Sequence, residues 1–319
     1  MRTNTLGRTG LETPVVGLGT IFIGNRDPLN PMAANFDEDL GAETVVAAIE
    51  AGSTWIDTAP LYASTVSEKI IGNVLKSRPD LKDQCTVVTK AGNYHTGQDH
   101  SYDTALRGVS ESLERLGLSK FEIVYVHDAI KTPFDVVMGK DGTFAALRKL
   151  QDEGVVNYIG AATNDPKINV LYIESGEFDA AVVPNAWSLL NQMAAERILP
   201  AAEKHNVGIS CGTPLERGLL ATGPVEGAEY ARRNFSAECV AHVGKMQKLC
   251  KSHGISLLAA SLQWPSRHPQ VGLAIPGSRN PEEAVENAKA GSVDIPEAFW
   301  EDLNPLVKHW DDAYPFDKE

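Results

Sequence analysis

The chain has 319 residues, is 43% hydrophobic and 22% charged, and carries a formal net charge of −13. A surface this acidic repels phosphate backbones and anionic lipid, which disfavours nucleic-acid and membrane partners and favours solubility. Four cysteines in a chain of this length make no disulfide framework, no run reaches the roughly 18 apolar residues of a membrane span, and the first residues lead into no apolar signal region, so a cytoplasmic protein with reduced thiols is expected.

Two short turn-punctuated pieces open the chain, Gly7-Arg8-Thr9-Gly10 and Val15-Val16-Gly17-Leu18-Gly19. Glycine at these points predicts a small hairpin before a first strand near Val15. A helix is expected from Ala42 to Ala51. After it, short β-branched runs alternate with helical patterns. Thr54–Asp57 precedes Ser67–Lys76, Cys85–Lys90 precedes Thr104–Leu116, and Glu122–His127 precedes Thr143–Glu153. Val155–Ala161 precedes Pro166–Glu174, and Ala180–Val183 precedes Ala194–Lys204. Val207–Ser210 precedes a helical region from Ser236 to Ser266, and Val271–Ile275 precedes Pro281–Ala290. Near-continuous apolar strands suit a parallel sheet buried on both faces. Eight such units predict an α/β fold, a (β/α)8 TIM barrel, as one domain over residues 1–319. A doubly wound open sheet is the alternative. Past Ala290 comes a C-terminal extension with a helix-like stretch to His309. Its aromatic, acidic tail, Trp310 to Phe316, either packs over one end of the barrel or lies loose.

Familiar fingerprints are missing. Gly17-Leu18-Gly19-Thr20-Ile21-Phe22 lacks the third glycine of a dinucleotide-binding GxGxxG, and there is no P-loop or HExxH. Cys239, His242, Cys250 and His253 mimic paired metal ligands on one helix face. At ~1.5 Å rise per residue, however, the two pairs lie ~16 Å apart. Packing is the expectation there, with no metal.

Chemistry in a barrel of this kind gathers at the C-terminal ends of the strands. Three successive predicted strands end in an ionisable residue: Asp57, Lys90 and His127. Tyr62 follows on the loop above Asp57. A phenol with a reference pKa of about 10 is a poor acid or base at neutral pH. A neighbouring ammonium lowers that value, and a carboxylate keeps the ammonium charged and oriented. An imidazole adds a hydrogen bond to the substrate oxygen. Together they suit protonation of a carbonyl oxygen as hydride arrives, or the reverse.

The segments Trp55-Ile56-Asp57-Thr58-Ala59-Pro60-Leu61-Tyr62, Val88-Thr89-Lys90 and Val126-His127-Asp128 closely resemble the aldo-keto reductase superfamily. The resemblance runs nearly end to end, from Leu6-Gly7-Arg8-Thr9-Gly10-Leu11 to Ile275-Pro276-Gly277-Ser278-Arg279. It implies a (β/α)8 barrel binding NADP(H) or NAD(H) without a Rossmann domain, and a catalytic tetrad of Asp57, Tyr62, Lys90 and His127. It also implies cofactor contacts from Gly19 and Thr20, from Thr163 and Asn164 to the nicotinamide carboxamide, and from Thr213, Pro214, Leu215 and Gly218 over the pyrophosphate. Ser278, Arg279, Glu283 and Asn287 fall at the adenosine phosphate. Arg279 suits a 2′-phosphate and Glu283 a free 2′-hydroxyl; the lean is to NADP(H).

One departure is visible. Where the family has Gln and, three residues on, Tyr, this chain has Pro184 and Trp187. Trp187 offers a ring to stack on the nicotinamide. Asp128 after His127, and Ile295-Pro296-Glu297-Ala298-Phe299-Trp300, resemble the branch containing aldose and pyridoxal dehydrogenases. Asp128 then either accepts from sugar hydroxyls or caps the following helix. Ile21, Phe22, Tyr94 and Trp264 complete the expected pocket. The expected partner is a small carbonyl or sugar. A reductase of less polar aldehydes and ketones, or a cofactor-sensing regulatory subunit, are the competing readings.

Overall fold

In the computed structural model, residues 1–27, 36–228, 230 and 233–313 are described. Eight parallel strands form one sheet: β1 (Leu18–Gly19), β2 (Trp55–Asp57), β3 (Thr86–Ala91), β4 (Phe121–His127), β5 (Val156–Ala162), β6 (Ala180–Val183), β7 (Gly208–Gly212) and β8 (Val271–Ile275). Each pairs with its neighbour in sequence. Parallel bridges Val16↔Ala274 and Gly19↔Gly277 join the first strand to the last, so the sheet closes on itself. Helices α1 (Glu38–Glu50), α2 (Val66–Ser77), α3 (Tyr102–Leu116), α4 (Thr143–Asp152), α5 (Pro166–Ser175), α6 (Ile198–His205), α7 (Leu257–Gln263) and α8 (Pro281–Ala290) follow the strands. The (β/α)8 barrel read from the sequence is the fold.

Strand periodicity decides what faces the barrel axis. Trp55, Val88, Ile123, Tyr125, Ala162, Ala180, Val182, Leu273 and Ile275 form one inner cluster. With side chains alternating at period two, Asp57, Lys90 and His127 share that inward face, one step further along β2, β3 and β4. Leu6 joins the same cluster at its opposite end. It is carried there by the antiparallel hairpin of Thr3–Thr5 and Glu12–Pro14. Gly7 (φ 48°) turns this hairpin against β7, where a Cβ would stand 2.3 Å from the Gly208 nitrogen.

Several helix ends differ from the sequence reading. α1 starts at Glu38, not Ala42, because the Asp37 side chain accepts from Leu40 N–H at 3.0 Å. α6 starts at Ile198, after a 3₁₀ turn at Met193–Ala195. The expected helical region from Ser236 to Ser266 is two helices, Ala237–Ser252 and α7. Ser236 and Ser256 cap them, and Gly254 (φ 70°) lies between.

Cys239 and Cys250 are buried in a second cluster with Phe299, Trp300 and Leu303 of the Glu297–Leu303 helix. His242 Nε2 bonds the Leu306 carbonyl at 2.7 Å, and His253 Nε2 lies 3.0 Å from Asp302. These four residues therefore bind the C-terminal extension to the barrel. Trp310 packs on the same cluster; Tyr314, Pro315 and Phe316 lie outside the described residues. Among the described residues no helix is long and apolar enough to cross a membrane.

Candidate active site

Asp57, Lys90 and His127 converge at the C-terminal mouth of the barrel, and all three are buried. Lys90 Nζ donates to Asp57 Oδ1 at 2.6 Å and to the Thr58 carbonyl at 2.8 Å. It also stands 4.6 Å from the centre of the Tyr62 ring. The Tyr62 and His127 rings meet edge to face at 6.0 Å. Tyr62 leads into a strained turn: Ala63, Ser64 and Thr65 all have positive φ (51°, 52° and 76°) before α2 begins. Each such residue costs roughly 1–3 kcal/mol, which marks the turn as held by its surroundings. Part of that hold is a hydroxyl chain. Thr58 and Ser67 bond at 2.8 Å, Ser67 donates to Thr20 at 2.8 Å, and Thr20 donates to the Asp57 carbonyl at 2.9 Å.

The electrostatics correct one expectation. Burial is the largest influence on the Tyr62 hydroxyl and lifts it above its ordinary value of 10; Lys90 pulls it down, and Asp57 adds to the lift. The expected lowering by Lys90 is present, but burial outweighs it, and the resting phenol keeps its proton. Burial opposes the charge on Lys90, yet Asp57 and Tyr62 outweigh it and hold the ammonium. Burial, then Lys90 and His100, push His127 well below the ordinary imidazole value, so its ring is neutral.

The residues expected around a cofactor divide into groups. Gly19 serves a close approach: a Cβ there would lie 2.8 Å from the Ile275 carbonyl. Thr20 is used by the chain above, and the Thr163 hydroxyl turns to the Asp165 carbonyl at 2.9 Å. Asn164 is exposed on the rim. The Thr213, Pro214, Leu215 and Gly218 loop has left-handed backbone at Thr213 (φ 55°) and Gly218 (φ 107°). Ser278 and Asn287 bond each other at 3.1 Å. Glu283 accepts from the Arg279 backbone at 2.9 Å and from its Nε at 3.0 Å, beside the N-terminus of α8 that Asn280 caps. These last four are brought together, with Arg279 and Glu283 paired.

Other sequence expectations are redirected. Asp128 caps no helix; its two oxygens accept from the Asn164 backbone and side chain at 2.7 and 2.9 Å. Trp187 does not stand alone as a stacking ring. It packs against Trp264 at 4.6 Å and donates from Nε1 to the Pro265 carbonyl at 3.2 Å, so both tryptophans are used in one contact ahead of β8. Tyr94 is turned onto α3: its hydroxyl reaches the Thr104 carbonyl at 3.4 Å, over the space left by Gly108. Phe22 lies over Gly277, and Ile21 beside it is part-buried.

Sequence reasoning missed Asn185, Glu216 and Arg233. Asn185 (φ 56°) donates to the Asn164 carbonyl at 3.4 Å and accepts from Arg233 at 3.1 Å. Arg233 pairs with Glu216, a buried carboxyl that burial pushes up to about 7 against the pull of Arg233 and Ser188. The one local signal in the sequence was an asparagine, a residue type that tolerates left-handed backbone, directly after Pro184.

Known proteins are similar to this chain in sequence and architecture. The profile of the Aldo/keto reductase family matches residues 15–308. D-threo-aldose 1-dehydrogenase of a Pseudomonas species is 28% identical over 319 residues, covering 92% of this chain and 94% of that protein. Pyridoxal 4-dehydrogenase of Microbacterium luteolum is 27% identical over 336 residues, with 93% and 95% covered. A solved aldo-keto reductase from Bacillus halodurans, in its holo form, superposes with a TM-score of 0.78 at 22% identity, over 97% of each chain. The chain, an NAD(P)-dependent oxidoreductase, therefore belongs to the aldo/keto reductase family.

Proposed function

We propose that the protein interconverts an aldose, or a similar small polar aldehyde, with its oxidised or reduced partner, using Tyr62 as the general acid and base. The observation that carries this reading is the Lys90 ammonium, bonded to Asp57 at 2.6 Å and set over the Tyr62 ring at 4.6 Å.

The residues present fit a nicotinamide cofactor. Asn164 offers an exposed amide to the carboxamide, and the Thr213–Gly218 loop offers backbone to the pyrophosphate. Ser278 and Arg279 stand where a helix N-terminus favours phosphate. When bound, the cofactor supplies or accepts the hydride. The protein's own part is the proton. In reduction the Tyr62 phenol, kept protonated by burial, donates to the carbonyl oxygen. A unit charge about 4 Å away at an effective dielectric near 20 is worth about 4 kcal/mol, so Lys90 stabilises the phenolate once it forms. Asp57 keeps that ammonium in place. Neutral His127 donates a ring N–H to the same oxygen and orients it. In oxidation the phenolate takes the alcohol proton.

Both relatives named above are dehydrogenases of polar compounds, an aldose and pyridoxal, which supports the polar substrate class. The lean to NADP(H) rests on Arg279; its pairing with Glu283 favours NAD(H) in the same measure that it occupies the guanidinium.

A substrate panel tests the reading. Purified protein with NADPH or NADH is given aldoses, pyridoxal and alkyl aldehydes, and the reverse reaction is run with sugars and oxidised cofactor. Aldoses or pyridoxal are expected to give the highest kcat/KM. Preference for alkyl aldehydes would replace the substrate class, and cofactor binding without turnover on any member would favour the sensing role.

A further inference from the structure

Asp128 leaves β4 in the left-handed backbone region (φ 53°), which Asp and Asn enter more readily than other non-glycine residues. Its N–H donates to the Ala162 carbonyl at 2.7 Å, fixing it against the end of β5. From there its carboxylate takes the Asn164 backbone N–H on Oδ1 at 2.7 Å and the Asn164 Nδ2 on Oδ2 at 2.9 Å. On the other side, Asn185 donates to the Asn164 carbonyl at 3.4 Å. An exposed rim residue is thus held at its N–H, its C=O and its side-chain nitrogen from both neighbouring strands.

The chemistry of the clamp fixes a direction. An ionised carboxylate only accepts hydrogen bonds. It binds Nδ2 and rejects Oδ1, so the two ends of the Asn164 amide are not interchangeable. Nδ2 is committed to Asp128, and Oδ1 is the free acceptor of that side chain among the described residues. We infer that Asp128 is a positioning residue for nicotinamide recognition, setting the Asn164 amide so that its oxygen accepts from the carboxamide N–H of the cofactor. The inference rests on the nicotinamide reading given above. With each of its oxygens engaged by Asn164, Asp128 acts on the cofactor through that residue. A reversed Asn164 would set donor against donor.

The test is a fluorescence titration of the whole protein with NADPH, NADH and ADP-ribose, the last lacking nicotinamide. Asp128→Asn keeps an acceptor for the Asn164 N–H but sets an NH₂ against Nδ2, which turning the Asn164 amide relieves. The Kd for the reduced cofactor should rise about tenfold, the scale of one lost hydrogen bond, with ADP-ribose affinity within about twofold of wild type. The double substitution Asp128→Asn with Asn164→Asp exchanges donor and acceptor across the same bond and leaves an oxygen facing the carboxamide. It should recover most of the lost affinity. Should Asp128→Asn not fold, Asn164→Asp alone opposes two carboxylates, and the double substitution should rescue that loss in the same way. Equal weakening toward ADP-ribose, no recovery in the double variant, or an unchanged Kd with a raised KM for aldoses would each overturn the inference. A wild-type protein that binds neither NADPH nor NADH would instead sink the nicotinamide reading itself.

Discussion

Tyr62 sits between burial, which holds its proton, and Lys90, which pulls its value back down. The sign of the pH dependence follows. In the proposed role of Tyr62 as acid and base, reduction uses the phenol, so with a pKa lifted above 10 its rate stays level through neutral pH and falls only as pH rises past that region. Oxidation uses the phenolate and speeds up with pH over the same range. His127, held neutral well below pH 6.5, adds no limb between pH 6 and 8; a kcat limb centred near pH 6.5 would contradict that assignment. Lys90→Met removes the ammonium that favours the phenolate. Its oxidative limb should move to higher pH, with kcat down by roughly 10²-fold or more; an unmoved limb would refute the tuning of Tyr62. Because the substitution leaves the buried Asp57 without its cation, denaturant unfolding should also show a loss of roughly 3–5 kcal/mol. Asp57, Lys90 and His127 were legible in the sequence because each ends a buried run and shares the inward register of Trp55, Val88 and Tyr125. The partner of Asp128 was not, since Asn164 lies 36 residues away across two helices and a strand. Nor were the directions of Tyr94 and Trp187, which are decided by space beside Gly108 and by Trp264.

At the scale of elements, the strands were easier to read than the helix ends. A strand buried on both faces announces itself by composition, whereas α1 and α7 begin where Asp37 and Ser256 find backbone N–H groups to accept from. The hairpin was visible in its glycines, but its task was not. It places Leu6, fully buried, among the inward side chains at the end of the barrel away from Tyr62. Leu6→Ala should cost roughly 2–5 kcal/mol in denaturant unfolding, with kcat within about twofold of wild type. Loss of activity in a well-folded Leu6→Ala protein would contradict the separation of these two ends.

Over the whole molecule, closure matters most. The bridges Val16↔Ala274 and Gly19↔Gly277 bring β8, and with it Ser278 and Arg279, next to β1 and the Asp57 strand. Residues at the far end of the sequence thereby share a mouth with the tetrad, and a ligand spanning them ties first strand to last. Cofactor at about 100 times its Kd should add about 2.7 kcal/mol to stability and raise Tm; no rise with either NADPH or NADH would contradict the shared mouth. The central claim is that this mouth moves a hydride with Tyr62 handling the proton. Transfer of deuterium from reduced cofactor labelled at the nicotinamide ring into an aldose or pyridoxal substrate, read by mass spectrometry, tests it most directly. Wild type should deliver the label, while Tyr62→Phe should bind cofactor with unchanged Kd and deliver it roughly 10²–10⁴-fold more slowly. Label transfer by Tyr62→Phe at the wild-type rate would contradict the account.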